Sequence, residues 1–456
     1  MDLPLSVREA LEPVAANISV HEAAGRDMGA PLRMVLLEDC RGPLQVVCKA
    51  DDLFDLAVLN KTLGRDLQLM ALKQQGRIRE RLGLPSDIPP VPALTGLPTV
   101  TDAALDELES VTLMAIDSST WLRIDAAGFQ RLTEGSRRIP VGVASGSIQV
   151  NLNHPESDRE QLHSAIRRFT SLRIQQRLDD TLELPPLPET AQRIIHLRVN
   201  PNATMGELVD LVESDPSLAA QVVSWASSSF YAAGGKVQSV YDAVSRVLGF
   251  ELVMNLAMGL ALGRALKQPS DQPEGYLGYW QQAIWQAQSA GVLASMVRHG
   301  ERPAFGLAYL SGLLHNLGYL VLAQVFPPHF KLACRCWEVN PQIDTAVVEQ
   351  HLLRVTREQI GAQLMSNWGM PDEVTVAIRY QKNPDYEGDF AVYPRLLWLA
   401  RQLLIDRGIP LGAAQPVPEA LFQELGLNRE KLEEKFDQLV SNRDGIMAMA
   451  GMMVSS

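Results

Sequence analysis

Two short apolar runs, 32–37 (LRMVLL) and 44–48 (LQVVC), flank the turn-forming Cys40-Arg41-Gly42-Pro43 and predict a β-hairpin early in the chain. Leu53, Leu56, Leu59 and Leu63 then recur at helical spacing behind Asp51-Asp52, which can cap a helix, and Gly64 ends it. Runs 110–116 (SVTLMAI) and 121–124 (WLRI) read as further strands, preceded by the proline-rich stretch 85–98. Residues 135–156 keep no long period and read as a linker or a trailing strand. At Ser157 the pattern changes to a helical one. Ser157 and Glu160 form a capping-box pattern, and Leu162, Ile166, Phe169, Leu172 and Ile174 supply an apolar side that ends by Leu184.

Beyond Pro185-Pro186 only helices are predicted. Thr204 and Glu207 form a second capping box, and Asp215-Pro216 opens the next helix. Helical runs follow at 239–248, 250–266, 279–299, 304–325, 344–353, 357–368, 372–381, 394–405 and 428–441, and the methionine-rich end MAMAGMMV is expected to pack on the bundle. The fold class is therefore multidomain: an α+β N-terminal domain and an all-α C-terminal one. The expected divisions are 1–140 for the α+β domain, 141–183 for a linker and connecting helix, 184–385 for the helical domain and 386–456 for its C-terminal extension.

The chain has 456 residues, 46% of them hydrophobic and 21% charged, which suits globular domains with real cores. A formal charge of −12 disfavours phosphate-neutralising, sequence-independent nucleic-acid binding. Cys40, Cys48, Cys334 and Cys336 form no disulfide framework and read as reduced thiols; zinc at Cys334-x-Cys336 lacks a companion pair. The apolar stretches 250–266 and 305–326 carry Glu251, Asn255, Arg264, His315, Asn316 and Gln324, so both read as buried helices. A cytoplasmic location without membrane insertion is expected. No phosphate-binding glycine loop is present, and GVASG at 142–146 lacks the strand-turn-helix setting of a serine nucleophile. Arg167, Arg168, Arg173 and Arg177 make a basic helix side that reads as a solvated face, with a docking site for an acidic partner as the sharper reading.

The strings LPPLPETAQRI (184–194), DPSLAAQVVSWASSSFY (215–231), VYDAVSRVLGF (240–250), AYLSGLLHNLGYLVL (308–322) and IGAQLMSNWGMP (360–371) resemble, in order, the HDOD family of the HD phosphohydrolase superfamily. The resemblance implies a compact helical bundle used in bacterial signalling. Active superfamily members hold divalent metal through histidines and an aspartate from separate helices, which activates water against a phosphodiester. Here the corresponding positions are Gln282, His315-Asn316, Arg357, Tyr380-Gln381 and Arg401, and His315 alone keeps the superfamily's residue. Two replacements put a cation where a cation should bind. Metal, catalytic residues and cofactor are therefore all expected to be absent.

In the N-terminal region, RMVLLEDCRGPLQVV, DDLFDLAVLNKTLG, LTGLPTVTDAAL, VTLMAID and GFQRL resemble the YbaK/ProX aminoacyl-tRNA deacylase fold over about 20–135. The lysine that this family associates with deacylation corresponds to Arg33, which stays protonated and cannot replace a tunable amine. Gly83 and Pro85 begin an altered pocket segment, and the nearby Lys49 and Lys61 read as solvated charges. The resemblances together imply a pseudoenzyme that signals by binding. Signalling proteins, or a nucleotide or cyclic dinucleotide, are expected partners ahead of tRNA, and Arg33, Gln282, His315 and Asn316 are the candidate binding residues. An editing deacylase in the N-terminal domain is the alternative, with a metal-dependent cyclic-dinucleotide phosphodiesterase after it. The oligomeric state stays open.

Overall fold

The structure, a computed structural model, describes residues 3–21, 28–84, 88–114, 121–170, 187–200, 202–228, 231, 237–264, 266–300 and 302–454. The predicted end of the helix from Ser157, with Leu172, Ile174, Arg173 and Arg177, lies outside them, as does Pro85. The chain divides into two units: Met1–Gln149 with Leu332–Val348, and Val150–Lys331 with Glu349–Ser456.

The first unit is built on strands β1 (Ile18–His21), β2 (Ala30–Asp39), β3 (Gly42–Lys49), β4 (Leu53–Phe54), β5 (Gln68–Leu69), β6 (Thr99–Asp102), β7 (Ser110–Met114), β8 (Trp121–Asp125), β9 (Arg137–Ile139) and β10 (Gly142–Val143). The main sheet runs β1-β8-β7-β2-β3-β6-β9 with β5 beside β2, while β4 and β10 pair separately. The hairpin expected from the two apolar runs is β2–β3, an antiparallel pair with Arg33 directly opposite Cys48. Its turn is fixed by Asp39, which accepts from the Arg41 amide at 2.8 Å, and by Gly42, whose φ of 111° excludes most side chains. Parallel pairings of β2 with β7 and β3 with β6 set the hairpin inside the sheet, and Leu44, Gln45, Val46, Val47 and Cys48 of β3 are buried in succession. Val47, Leu32, Val111, Leu113, Leu122, Ile124 and Phe129 belong to the resulting core.

One local expectation changes. The helix after the hairpin is Leu56–Leu63, and its cap is Asp55, not Asp51 or Asp52; Leu53 lies in β4. Asp55 accepts the Val58 amide at 2.9 Å, and Gly64 closes the helix at φ 59° as expected. The segment 135–156, read as linker or trailing strand, supplies β9 and β10.

Residues Leu332–Val348 of the first unit include most of the helix Pro327–Val339, which the periodicity does not reveal. Ala333, Cys334, Cys336, Trp337 and Val339 are buried, so its apolar side is real but compressed. Both cysteines lie in continuous helix, where residues two apart face different sides.

The second unit is helical among the described residues. Capping boxes at Thr204/Glu207 and Thr356/Gln359, and Asp215 ahead of Pro216, start helices Met205–Glu213, Arg357–Asn367 and Pro216–Ala226. The run 239–248 is one α-turn followed by a π-helical stretch, Ala243–Leu248. The run 304–325, expected as one helix, is two: Phe305–Leu314 and Leu317–Val325. His315 causes the break locally. Its ring nitrogen lies 2.7 Å from the Gly312 carbonyl, so the side chain competes with the backbone for a helical acceptor. Gly318 lets Leu317–Val325 cross Arg357–Asn367 at backbone contact, because a Cβ there would collide with the Arg357 carbonyl oxygen. The methionine-rich end is the helix Arg443–Val454, with Ile446, Met449 and Met453 buried against Tyr279–Met296. Phe305–Val325 is long and apolar enough to cross a membrane, and 89% of that window is buried inside the structure.

Candidate functional site

The candidate residues divide between the units: Arg33 belongs to the first, and Gln282, His315 and Asn316 to the second.

In the second unit, the break at His315-Asn316 turns Asn316 inward to 3% exposure. Its amide nitrogen donates to Gln282 Oε1 at 3.2 Å, and its Oδ1 accepts from Arg357 Nη1 at 3.1 Å. Gln282 in turn donates to the Leu277 carbonyl at 2.6 Å. Arg357, at the first turn of its helix, donates through Nε to Glu349 Oε1 at 2.5 Å, and its backbone amide donates to Glu349 Oε2 at 2.7 Å. Its guanidinium carbon lies 5.3 Å from the centre of the Tyr319 ring. Gln381 donates to the His315 carbonyl at 2.7 Å. Tyr380 points elsewhere, its ring stacked 3.8 Å from that of Tyr386. Arg401 is within electrostatic reach of His315.

The electrostatics follow from burial. Desolvation pushes the His315 imidazole down to about 4, helped by the charges of Arg357 and Arg401 and opposed by the Gly312 bond. A carbonyl only accepts, so Nδ1 carries the proton and Nε2 keeps its lone pair. Burial also raises the Glu349 carboxyl, against the pull of Arg357. Arg357 is lifted despite its own burial because Glu349 and Glu358 hold its charge. A hard divalent cation needs converging anionic or imidazole donors. Two carboxamides and a guanidinium converge instead, and Glu349 is already engaged. Among the described residues no group of three or more His, Cys, Asp or Glu could hold a metal ion. The residues do not fit the metal that the HD superfamily resemblance implies.

Glu349 is the participant that sequence reasoning missed. It is 0% exposed in a helix whose neighbours Val348 and Leu353 are also buried, and an acid in so apolar a run was the available signal.

In the first unit, Arg33 on β2 donates from Nη1 to the Val339 carbonyl at 2.6 Å and from Nη2 to Asn340 Oδ1 at 2.8 Å. Burial lowers the guanidinium from its ordinary value, with Cys48 and Asp52 acting against. Asn340 is 0% exposed. It also takes the Phe54 amide at 2.7 Å and gives its own N–H groups to the Phe54 and Cys336 carbonyls, each at 2.9 Å. Its carboxamide thereby completes the outer edge of β4 as a peptide group would. Arg33 sits at the C-terminus of Pro327–Val339, where the helix dipole favours a cation. Lys49 is half-buried at the end of β3, and Lys61 is exposed on its helix.

Comparison with known proteins finds two families along the chain: the editing-domain match lies within the first unit, and the HDOD match takes in most of its residues from the second unit together with Leu332–Val348 of the first. The HDOD domain family model matches residues 184–384, and that of the aminoacyl-tRNA editing domain matches residues 12–132. A crystal structure from Marinobacter aquaeolei VT8, provisionally described as a signal transduction protein, is 63% identical over 99% of this chain and 100% of its own, with a TM-score of 0.92. An HDOD domain protein of unknown function from Geobacter sulfurreducens shares the fold, at 21% identity over 65% of this chain and 99% of its own, with a TM-score of 0.50. A Treponema pallidum (strain Nichols) protein is 27% identical over 46% of this chain, and the match spans only 39% of that relative's length. The chain belongs to the HDOD proteins, in the form that carries a YbaK-like aminoacyl-tRNA editing domain ahead of the HDOD domain.

Proposed function

We propose that this protein is a non-catalytic regulator in bacterial signal transduction, acting in the cytoplasm through ligand or protein binding by a degenerate HDOD domain. The observation that carries this reading is the network in which Glu349 holds Arg357, Arg357 holds Asn316 and Asn316 holds Gln282, the last three being positions that correspond by resemblance to metal ligands of the HD superfamily. An internal guanidinium, Arg357, is held between the buried carboxylates of Glu349 and Glu358, and the groups it meets toward His315 are the carboxamides of Asn316 and Gln282. Half-buried Gln282 and His315, with buried Asn316 holding Gln282 in place, then form the recognition site for a signalling protein or a nucleotide, and Arg33 is given over to holding Val339 and Asn340. In this reading residues 1–140 sense, residues 184–385 with their extension to 456 present a surface, and residues 141–183 join the two.

The test has two parts. Purified full-length protein, supplied in turn with iron, manganese and zinc, is assayed for metal content and for turnover of cyclic dinucleotides and bis(p-nitrophenyl) phosphate. The expected result is no stoichiometric metal and no turnover. Metal-dependent turnover abolished by Glu349→Gln or His315→Ala would overturn the proposal. A pull-down from native lysate should recover a specific partner that Asn316→Asp releases.

A further inference from the structure

We propose that the second unit binds a single-chain anionic amphiphile of the fatty-carboxylate class in a groove beside the helix Asp158–Thr170. This does not depend on whether the bundle centre is catalytic, so it stands or falls apart from the function proposed above.

The helix is fixed from one end. Asp158 pairs with Arg379, which donates to Asp158 Oδ1 at 2.9 Å and to the Asn151 carbonyl at 3.0 Å. Gln359 donates to Asp158 Oδ1 at 2.6 Å and to Gln161 Oε1 at 2.7 Å. Ala165 is buried. With these anchors in place, positions 159, 162, 163, 166 and 167 form one wall of a cavity of about 440 Å³. That size is within the roughly 300–1,000 Å³ of small-molecule pockets.

The wall has two rows set by helical spacing. Arg159, His163 and Arg167 follow one another at i, i+4 and i+8, and Leu162 and Ile166 form the parallel apolar row. Val321, Phe326 and Ile360 from the neighbouring helices extend the apolar lining, and the remaining polar lining residues, Gln363 and Asn367, are neutral. No carboxylate is among the described lining residues. An apolar trough with cations along one rim matches a ligand with an aliphatic body and a carboxylate head, which arginine can hold through paired hydrogen bonds.

The experiment uses the full chain and isothermal calorimetry with sodium dodecanoate below its micelle concentration. Saturable one-to-one binding is expected. Affinity should fall about fourfold for each methylene removed from the probe, since each buried methylene contributes about 0.8 kcal/mol. Arg159→Gln/Arg167→Gln changes two exposed side chains and should weaken binding roughly tenfold or more. Dodecyltrimethylammonium should not bind, and a diazirine-bearing fatty acid should crosslink to peptides containing 159–167 or 321–326. The proposal is overturned by absent saturable binding, by equal affinity for the cationic amphiphile, by crosslinks only elsewhere, or by no effect of the double variant. Binding of an acidic amphipathic peptide without dodecanoate affinity would overturn it equally.

Discussion

Arg357 and Arg33 are both largely withdrawn from solvent, and in the function proposed above both take the place of a reactive or metal-binding group. They are neutralised differently. Arg357 has a carboxylate within 2.5 Å, a carboxamide and an aromatic face, so its charge is cancelled by Glu349 inside the bundle. Arg33 has no carboxylate hydrogen bond among the described residues. Its acceptors are the Val339 carbonyl at a helix end and the Asn340 amide. Removing one member of an ion pair strands a charge, whereas removing a dipole partner strands a hydrogen bond. The bundle centre should therefore be the more fragile of the two sites.

Four measurements can break or sharpen that contrast. Arg357→Met leaves Glu349 buried and uncompensated, and urea unfolding should show a loss of about 3–5 kcal/mol. Adding Glu349→Gln should recover much of it; if the double variant is as unstable as the single, the ion pair is not the controlling element. Asn340→Ala leaves the Phe54 N–H and C=O and one Arg33 donor without their partner, for about 2–3 kcal/mol by the same measurement.

The third measurement is a pH titration of stability. His315 has a folded pKa of about 4 against an ordinary value of 6.5, so the unfolded chain binds its proton more readily. Stability from this group is complete above about pH 6.5 and declines as the pH falls toward 4. At about 1.4 kcal/mol for each pH unit between those two values, and with the ring partly open to solvent, the expected loss is about 1–3 kcal/mol. His315→Gln should flatten that slope, and an unchanged slope would remove His315 as its source. The smallest effect is expected for Arg33→Lys. A lysine cannot reach both Val339 and Asn340 in the planar fork, so stability should fall by about 1 kcal/mol. Deacylation of mischarged tRNA by this variant would show that the N-terminal domain is one residue from activity.

The strands around the first hairpin were legible because alternation and turn chemistry agree there. The helical half was legible because its caps, Thr204 with Glu207 and Asp215 before Pro216, are local signals. Three features were not. Asp51-Asp52 resembles a cap as closely as Asp55 does, and only the β4–β10 pairing decides between them. The run 304–325 keeps helical periodicity across His315-Asn316, so a side chain's competition for one carbonyl leaves no trace in the pattern. Pro327–Val339 carries an apolar side, but its opening Pro327-Pro328 and its dense Cys and Trp content hide the period. The site was half legible. Asn316 could be named from its place in a resembling string and Arg357 from the superfamily position it takes just ahead of another, whereas Glu349 showed only as an acid in an apolar run and its pairing with Arg357 is set by packing.

The inclusion of Leu332–Val348 in the first unit bears on how the protein is made. A ribosome finishes residue 149 on the order of two hundred residues before it reaches Asn340, which at ~5–20 residues per second is a delay of roughly 10–40 s. Throughout that interval β4 has an open edge and Arg33 lacks both of its acceptors. The nascent N-terminal part must wait, and a factor that shields unpaired strand edges during synthesis should raise the yield of native protein.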